Sequence, residues 1–484
     1  MVVGAFLRLT NLGYSNYQGD EIKALFNPTD GQSVVKFLLD QRKGPVQFLI
    51  TFLLKFLNPS YENEFLVRLP FAIAGILAVF YFYKLLKHHF NEKVAFYGTF
   101  FFATNGFLLA FSRIVQYQSF VILFMIMALY YLSEKKIFWG LLFWGLAFLS
   151  HYDAVLIAPF AFYLLYDWLK DFKREERIRR FIRVSIIPAF MTGVFYIPFL
   201  FNLSEATKTY WYNRLIDNAL GKISSSKYLF GVYQPIYVIH IYTILFLLGL
   251  IFLCGGALLK RKLPEPKIIS IGLWFLLALA FMEVFVHIPG THIYTYLIPV
   301  MIFMGAGVYL IEEVLRKVLK NKLGGIVTTF GVSIIFVFIF AQMYMVYVNN
   351  RDEYPWENEQ FLLWTLPKPS PIFHLSMFGF PYYRNWEGVK RFVATHPEIK
   401  GYSSNERKAI TRYFINLPKR GDVPSFYILV KNPQSFTDYP ENTTTQEWMQ
   451  NHAPEYEFVR NSDERIKIYL LPAGAPEVVV GDIE

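Results

Sequence analysis

From residue 65 to 348 the chain is a succession of apolar runs separated by short polar breaks, whereas 350–484 alternates polar, charged and proline-containing segments as soluble domains do. A helix that crosses a bilayer needs about 20 apolar residues. Runs approaching that length lie at 68–86, 94–112, 115–133, 137–150, 152–167, 181–201, 236–258, 268–286, 292–311 and 325–347. The opening residues 1–7 read as the tail of a further helix whose beginning precedes the given sequence. The pair within 137–167 is short, as helices bordering a water-filled cavity can be. PVQFLITFLLKFL (45–57) is also too short to span and predicts a helix lying in or dipping into the interface. After residue 350, FPYYRNWEGVKRFV (380–393) reads as a helix start and YSSNERKAITRYF (402–414) as a strand end leading into a helix. SFYILVKNP (425–433) and RIKIYLL (465–471) read as strands. The expected architecture is a polytopic α-helical membrane protein of about eleven spans, counting the truncated first one, with a small C-terminal α/β domain. The expected division is 1–349 and 350–484, with 8–64 as the first outer loop.

Charge assigns the sides. Alternate connections read KLLKHHFNEK (84–93), SEKK (133–136), LKDFKREERIRR (169–180), LKRKLPEPK (259–267) and EEVLRKVLKNK (312–322). Short loops rich in Lys and Arg are cytoplasmic. The other set, namely 8–64, 112–118, 150–153, 202–235, 287–292 and everything after 348, is therefore expected outside. A crossing at 45–57 would invert every basic loop.

Composition agrees: 54% of the 484 residues are hydrophobic, 19% aromatic and only 17% charged, against about 25% charged in ordinary soluble domains. The net charge of +10 raises the question of nucleic acid, but the basic residues sit beside apolar runs and form no stripe with interleaved aromatics, so no nucleic-acid partner is expected. The single cysteine, Cys254, excludes an intramolecular disulfide and a cysteine-rich metal site.

With the sides assigned, the unusual polar residues of the membrane part fall outside. The first outer segment carries QGDEIK, with adjacent Asp20 and Glu21, and then QRKGP, with Arg42 and Lys43. A carboxylate near cations can deprotonate an acceptor while a phosphate leaving group is neutralised. An acidic pair at a helix start, favoured by the dipole, is the plain alternative. The next outer turn, FSRIVQYQSF, brings Arg113, Gln116, Tyr117 and Gln118, where Arg113 could clamp phosphate or snorkel to headgroups. SHYD adds His151, Tyr152 and Asp153, and HIPGTHIYTY adds His287, His292, Tyr294 and Tyr296. Separate helix ends carrying such groups on one side favour a shared polar cavity over isolated interfacial belts. No HExxH or paired-cysteine spacing occurs, so a protein-only zinc site is not expected. A divalent cation held by Asp20 or Glu21 with donor phosphate oxygens stays open. The sequon at Asn442 lies on the outer side of this topology.

The assembled pattern resembles the GT-C class of membrane glycosyltransferases that use polyprenyl-phosphate sugars, in particular the protein O-mannosyltransferase and aminoarabinose-transferase (family 39-like) group. Four motifs carry it in order: Arg8-Leu9 leading to Gly19-Asp20-Glu21; Lys43-Gly44-Pro45 where the family has a His-Pro-Pro type segment; Arg68-Leu69-Pro70; and Ser112-Arg113. The chain departs from the family at Gln118, where an acidic residue is common, and at Lys43-Gly44. The resemblance implies transfer of a sugar, with inversion, from a polyprenyl-phosphate donor to a protein, lipid or glycan acceptor outside the cytoplasm, at the cell membrane, with Asp20 as base. Chemistry and sidedness add Glu21 as its orienter or a cation ligand, Lys43, Arg113 and His292 as phosphate neutralisers, and Gln118, His151, Tyr152 and Tyr296 as cavity lining. A transporter or flippase would bear internal repeats and mid-membrane ionisable groups, which are not seen. A non-catalytic relative is a further alternative raised by Gln118.

Overall fold

The structure is a computed structural model. It describes residues 1–216, 224, 229, 239–255, 259, 261–287, 289–319, 321–361, 364–366, 368, 379–419, 423–435, 443–461 and 463–471. Half of the 202–235 loop, part of the 236–258 run and Asn442 of the sequon lie outside the described residues. The chain divides into two compact units: Met1–Thr10, Phe26–Ser60 and Val67–Val346 form the first, and Asn11–Leu25, Tyr61–Leu66 and Tyr347–Glu484 the second.

In chain order the helices are α1 (Val2–Leu9), α2 (Gly19–Ile22), α3 (Val34–Leu39), α4 (Val46–Leu54), α5 (Glu64–His89), α6 (Glu92–Thr104), α7 (Gly106–Phe111), α8 (Gln118–Ser133) and α9 (Ile137–Ser150). They continue with α10 (Ala158–Leu169), α11 (Arg174–Phe201), α12 (Glu205–Leu215), α13 (Ile239–Leu250), α14 (Pro266–Val284), α15 (Tyr294–Val318) and α16 (Asn321–Tyr347). Among the described residues five helical stretches are long and apolar enough to cross a membrane: α5, α11, α14, Gly290–Val318 and Lys322–Tyr347. Gln118–Ser133, Ile137–Ser150 and His240–Gly255 are apolar but shorter. Large apolar side chains stand exposed along α11, Ile186 and Phe190 among them, and along α16, Phe330 and Val337 among them. Such faces suit lipid, not water. In contrast α15 is largely enclosed. Its Gly307 meets the Leu245 carbonyl of α13, where an added Cβ would lie 2.1 Å away, and Gly249 of α13 reciprocates against the Phe303 carbonyl at 1.8 Å. Close backbone approach through small residues is how helices pack where lipid removes the hydrophobic drive between them.

Two expected spans are interrupted. The run 94–112 does not form one helix: the Asn105 side chain accepts from the Phe107 and Leu108 N–H groups, caps α7, and with extended backbone (ψ 124°) ends α6. Asparagine at such a position offers the backbone a cap in place of a continued ladder. The run 152–167 opens as a 3₁₀ helix, Tyr152–Ile157, with α10 beginning only at Ala158. That irregular stretch positions the site described below.

In the second unit, strands β3 (Gly401–Ser404), β4 (Ser425–Val430), β5 (Tyr456–Arg460) and β6 (Asp463–Leu471) form a sheet of order β3-β4-β6-β5, following a two-stranded ribbon of β1 (Gln360–Phe361) and β2 (Trp364–Thr365). β3 runs parallel to β4, and β6 is antiparallel to both β4 and β5. Helices α17 (Trp386–Ala394) and α18 (Lys408–Phe414) bury one sheet face around Trp386, Ile410, Phe414, Phe426, Ile428, Ile466 and Ile468. The other face holds Tyr427, Tyr469 and Leu471 beneath Trp448 of α19 (Thr443–Gln450). The strict alternation of Phe426/Ile428 with Tyr427 sends neighbours to opposite faces. β5 is an edge strand whose two charges, Glu457 and Arg460, hide it from a search for apolar strands.

Glu406 follows β3 and is buried; it accepts from the Arg407 N–H at 2.7 Å and the Gln434 N–H at 2.9 Å. Burial nevertheless pushes its carboxyl up to about 7. The folded state therefore holds a proton that the unfolded chain, with an ordinary value near 4.3, has lost. The associated stability is complete below pH 4.3 and is lost as pH rises through 7, about 4 kcal/mol at roughly 1.4 kcal/mol per pH unit. Hydrogen exchange of the β4 amides, corrected for intrinsic rates, is expected to be less protected at pH 8 than at pH 5. Glu406→Gln is expected to flatten that difference.

Candidate functional site

Within the first unit, three helix junctions build one polar cluster. His151 ends α9 in extended conformation (φ −167°), and its Nδ1 accepts the Asp153 N–H at 3.2 Å, capping the 3₁₀ helix. That turn buries the Asp153 carboxylate. Oδ1 lies 3.1 Å from His151 Nδ1, and Oδ2 lies 2.7 Å from His292 Nδ1 while accepting from the Tyr294 hydroxyl at 2.9 Å. The Tyr117 ring stacks on His151 at 4.3 Å, and the Lys43 ammonium lies 5.0 Å over Tyr117 and donates to Gln116 Oε1 at 3.1 Å. Buried Gln118 donates to Thr291 Oγ1 at 3.5 Å, beside His292.

This cluster borders a cavity of about 500 Å³. Asp153, His292, Tyr152, Tyr210 and Arg214 supply its polar lining, and Phe148, Leu156, Tyr196, Phe199, Trp211 and Phe281 are among its apolar lining. Arg42 and Arg214 both lie against the Tyr210 ring, at 4.3 and 4.8 Å from its centroid. A long apolar wall beside cationic groups suits an amphipathic anion.

The structure thus brings together Lys43, Gln118, His151, Tyr152 and His292. Tyr296 stands elsewhere, lining a separate cavity of about 250 Å³ with Tyr242, Phe246 and Phe275. Arg113 is turned to the end of α1, where Nη1 donates to the carbonyls of Leu7 at 2.6 Å and Thr10 at 2.9 Å. Arg8 reciprocates through Ser112 Oγ at 3.2 Å and the Ala103 carbonyl at 2.9 Å. The Arg-Leu and Ser-Arg motifs are therefore two halves of one lock, with a cation at a helix C-terminus where the dipole favours it. Arg113→Ala is expected to lower stability by about 1.5–3 kcal/mol, the worth of a charged hydrogen bond, read as a lower unfolding temperature.

Gly44 explains the departure at Lys43-Gly44-Pro45. A Cβ there would lie 2.0 Å from the Leu149 carbonyl oxygen at the end of α9. Gly44→Ala is expected to force this lead-in to α4 off its seat, at about 1–3 kcal/mol as for other overpacked sites, with thermal unfolding as the check.

The acidic motif belongs to the second unit. Its helix α2 is closed by a capping box in which Glu21 Oε2 accepts the Gln18 N–H at 3.2 Å. Ile22 packs on the α/β core, and the Gly19 N–H donates to Gln434 Oε1 at 3.3 Å. Glu21 is buried and turned back on its own helix. Asp20 is half-buried, and no hydrogen bond or ion pair reaches its carboxylate among the described residues. The two acids hold different environments, so a joint chelate by the pair is not what the structure presents. Among the described residues the group of three or more His, Cys, Asp or Glu side chains placed to hold a metal is His151, Asp153 and His292. Sequence reading placed these in a common cavity but not as ligands, because they come from two junctions 139 residues apart. Arg214 was missed entirely, being one cation in a long polar loop.

Residues 43–182 match the family described as dolichyl-phosphate-mannose-protein mannosyltransferase. No curated protein sequence matches the chain. Among solved structures, ArnT from Cupriavidus metallidurans in the apo state is similar over 96% of both chains, at 10% identity and a TM-score of 0.50. The same protein bound to undecaprenyl phosphate gives 0.49 at 10% identity over 96% of both chains. The Archaeoglobus fulgidus oligosaccharyltransferase in complex with zinc and sulfate gives 0.45 at 11% identity, over 82% of this chain and 55% of that one. The family pattern in residues 43–182 and the fold shared with apo ArnT both agree with the resemblance read from the sequence.

Proposed function

We propose that the protein transfers a glycosyl group, with inversion, from a polyprenyl-phosphate sugar to an acceptor on the extracytoplasmic side. The observation that supports this reading best is the cavity of about 500 Å³ whose apolar wall ends at Arg214, His292 and Asp153. An isoprenoid tail fits such a wall, and the phosphate needs a cation such as Arg214 beside it. Asp20 is the base: it takes the proton of the acceptor hydroxyl or amine as that atom attacks the anomeric carbon, and the bond from that carbon to the phosphate oxygen breaks. Lys43, Arg214 and His292 oppose the charge that develops on the departing phosphate. Glu21 orients Asp20 by closing α2. The five basic loops on one side support a cytoplasmic face there, with the α/β domain outside. Reporter fusions after residue 350 and within 171–180 test the sidedness; a cytoplasmic C-terminal reporter would overturn it. Release of polyprenyl phosphate from a lipid-linked sugar by the purified protein tests the reaction.

A further inference from the structure

Asp20 stands on α2, a helix of four residues. A single turn does not hold its shape alone, because helix nucleation is unfavourable and short helices are marginal in water. The fixed points of this one all belong to the α/β domain. Ahead of the helix, the Asn16 N–H donates to the Tyr382 carbonyl at 3.2 Å, and Asn16 Oδ1 accepts the Arg384 N–H at 2.8 Å. Buried Tyr17 meets the Tyr413 ring of α18 edge-on at 5.8 Å. Behind the helix, Ile22 packs on the core around Trp386 and Ile468. At its start, the Gly19 N–H, one of the donors that a helix leaves unpaired, goes to Gln434 Oε1 at 3.3 Å. Gln434 is buried and is itself fixed, since its N–H donates to buried Glu406 at 2.9 Å. The Arg407 guanidinium closes the other side: a Cβ on Gly19 would lie 3.4 Å from its Nη1. Asp20 has no hydrogen bond or ion pair of its own among the described residues, so the direction of its carboxylate follows that of the helix.

We propose that Gln434 is a positioning residue for Asp20, and that the α/β domain thereby carries the reacting base. The role in catalysis rests on the reading of Asp20 as that base; the hold on α2 does not. A general base works only within hydrogen-bond reach of the proton it takes, and a small misplacement of a reacting group is costly. Loss of the Gln434 oxygen leaves the buried Gly19 N–H without its acceptor and lets the turn loosen.

The test compares full-length wild type, Gln434→Leu and Gln434→Glu, each monodisperse in detergent, by steady-state kinetics and by hydrogen exchange of the peptide that spans α2. Leucine fills the same space without the oxygen. Glutamate keeps an acceptor at a helix start, with the Arg407 guanidinium alongside. The comparison is made at about pH 6, where Glu406 keeps its proton and puts no second charge beside the new carboxylate. Gln434→Leu is expected to lower kcat about 3- to 10-fold, the worth of one hydrogen bond, with donor KM unchanged and with faster exchange at α2 but not in β4. Gln434→Glu is expected near wild type in all three. If Gln434→Leu does not fold, Gln434→Ala removes the same oxygen and takes its place. Unchanged exchange at α2, or exchange that speeds up across β4 as well, overturns the hold. Faster exchange at α2 with unchanged kcat, or an equal loss of kcat in the leucine and glutamate variants, overturns the positioning role. Wild-type turnover by Asp20→Asn overturns the base reading instead, and leaves the exchange result to decide whether Gln434 holds α2.

Discussion

Asp20→Asn is expected to insert, fold and bind donor as wild type does, and to lose turnover by roughly 10²- to 10⁴-fold, the range that general-base catalysis contributes. The substitution is nearly isosteric, and the carboxylate makes no hydrogen bond or ion pair among the described residues whose loss would disturb the fold. The loss should therefore fall on kcat and leave donor affinity intact. Glu21 provides the internal contrast. Glutamine serves a capping box as glutamate does, so Glu21→Gln is expected near wild type, whereas Glu21→Ala should destabilise α2 by about 1 kcal/mol and lower kcat through misplacement of Asp20. Near-normal turnover by Asp20→Asn, with active wild type alongside, would return the acidic pair to a capping role alone.

The second large effect is expected at Arg214. Arg214→Ala should raise the KM for donor by about 10- to 150-fold, the equivalent of 1.5–3 kcal/mol for a charged hydrogen bond to phosphate, while the unfolding temperature changes little. Arg113→Ala should do the reverse, lowering stability with a near-normal donor KM, because its guanidinium holds the end of α1. Steady-state kinetics on vesicle-embedded protein, paired with unfolding curves, separates the two. Equal KM values for Arg214→Ala and wild type would remove the cavity's cation from donor binding.

The contrast between these arginines marks where sequence reasoning stops. Apolar run length and basic loops located α5, α9, α11, α14 and α16 closely, because burial in lipid leaves a periodic record in composition. The break at Asn105 was hidden inside an otherwise apolar run, since a single side-chain cap redirects a helix without altering its hydropathy. At the site, His151, Asp153 and His292 were legible as polar residues at helix ends, yet their convergence depends on how α9 and α15 pack, which no spacing rule encodes. Arg113 is the opposite case: its motif was conspicuous, but its partners are backbone carbonyls, and carbonyls have no sequence signature. Gly44 shows that a departure from a family pattern can follow from a neighbour's backbone rather than from chemistry.

The most direct measurement of the central claim incubates the purified protein, in nanodiscs, with a membrane lipid extract containing polyprenyl-phosphate sugars and follows those lipids by mass spectrometry. Wild type is expected to consume one lipid-linked sugar and release the matching free polyprenyl phosphate, and Asp20→Asn to do so at least roughly 100-fold more slowly, the low end of the range for a general base. No consumption of any lipid-linked sugar by wild type, or equal consumption by Asp20→Asn, would contradict it.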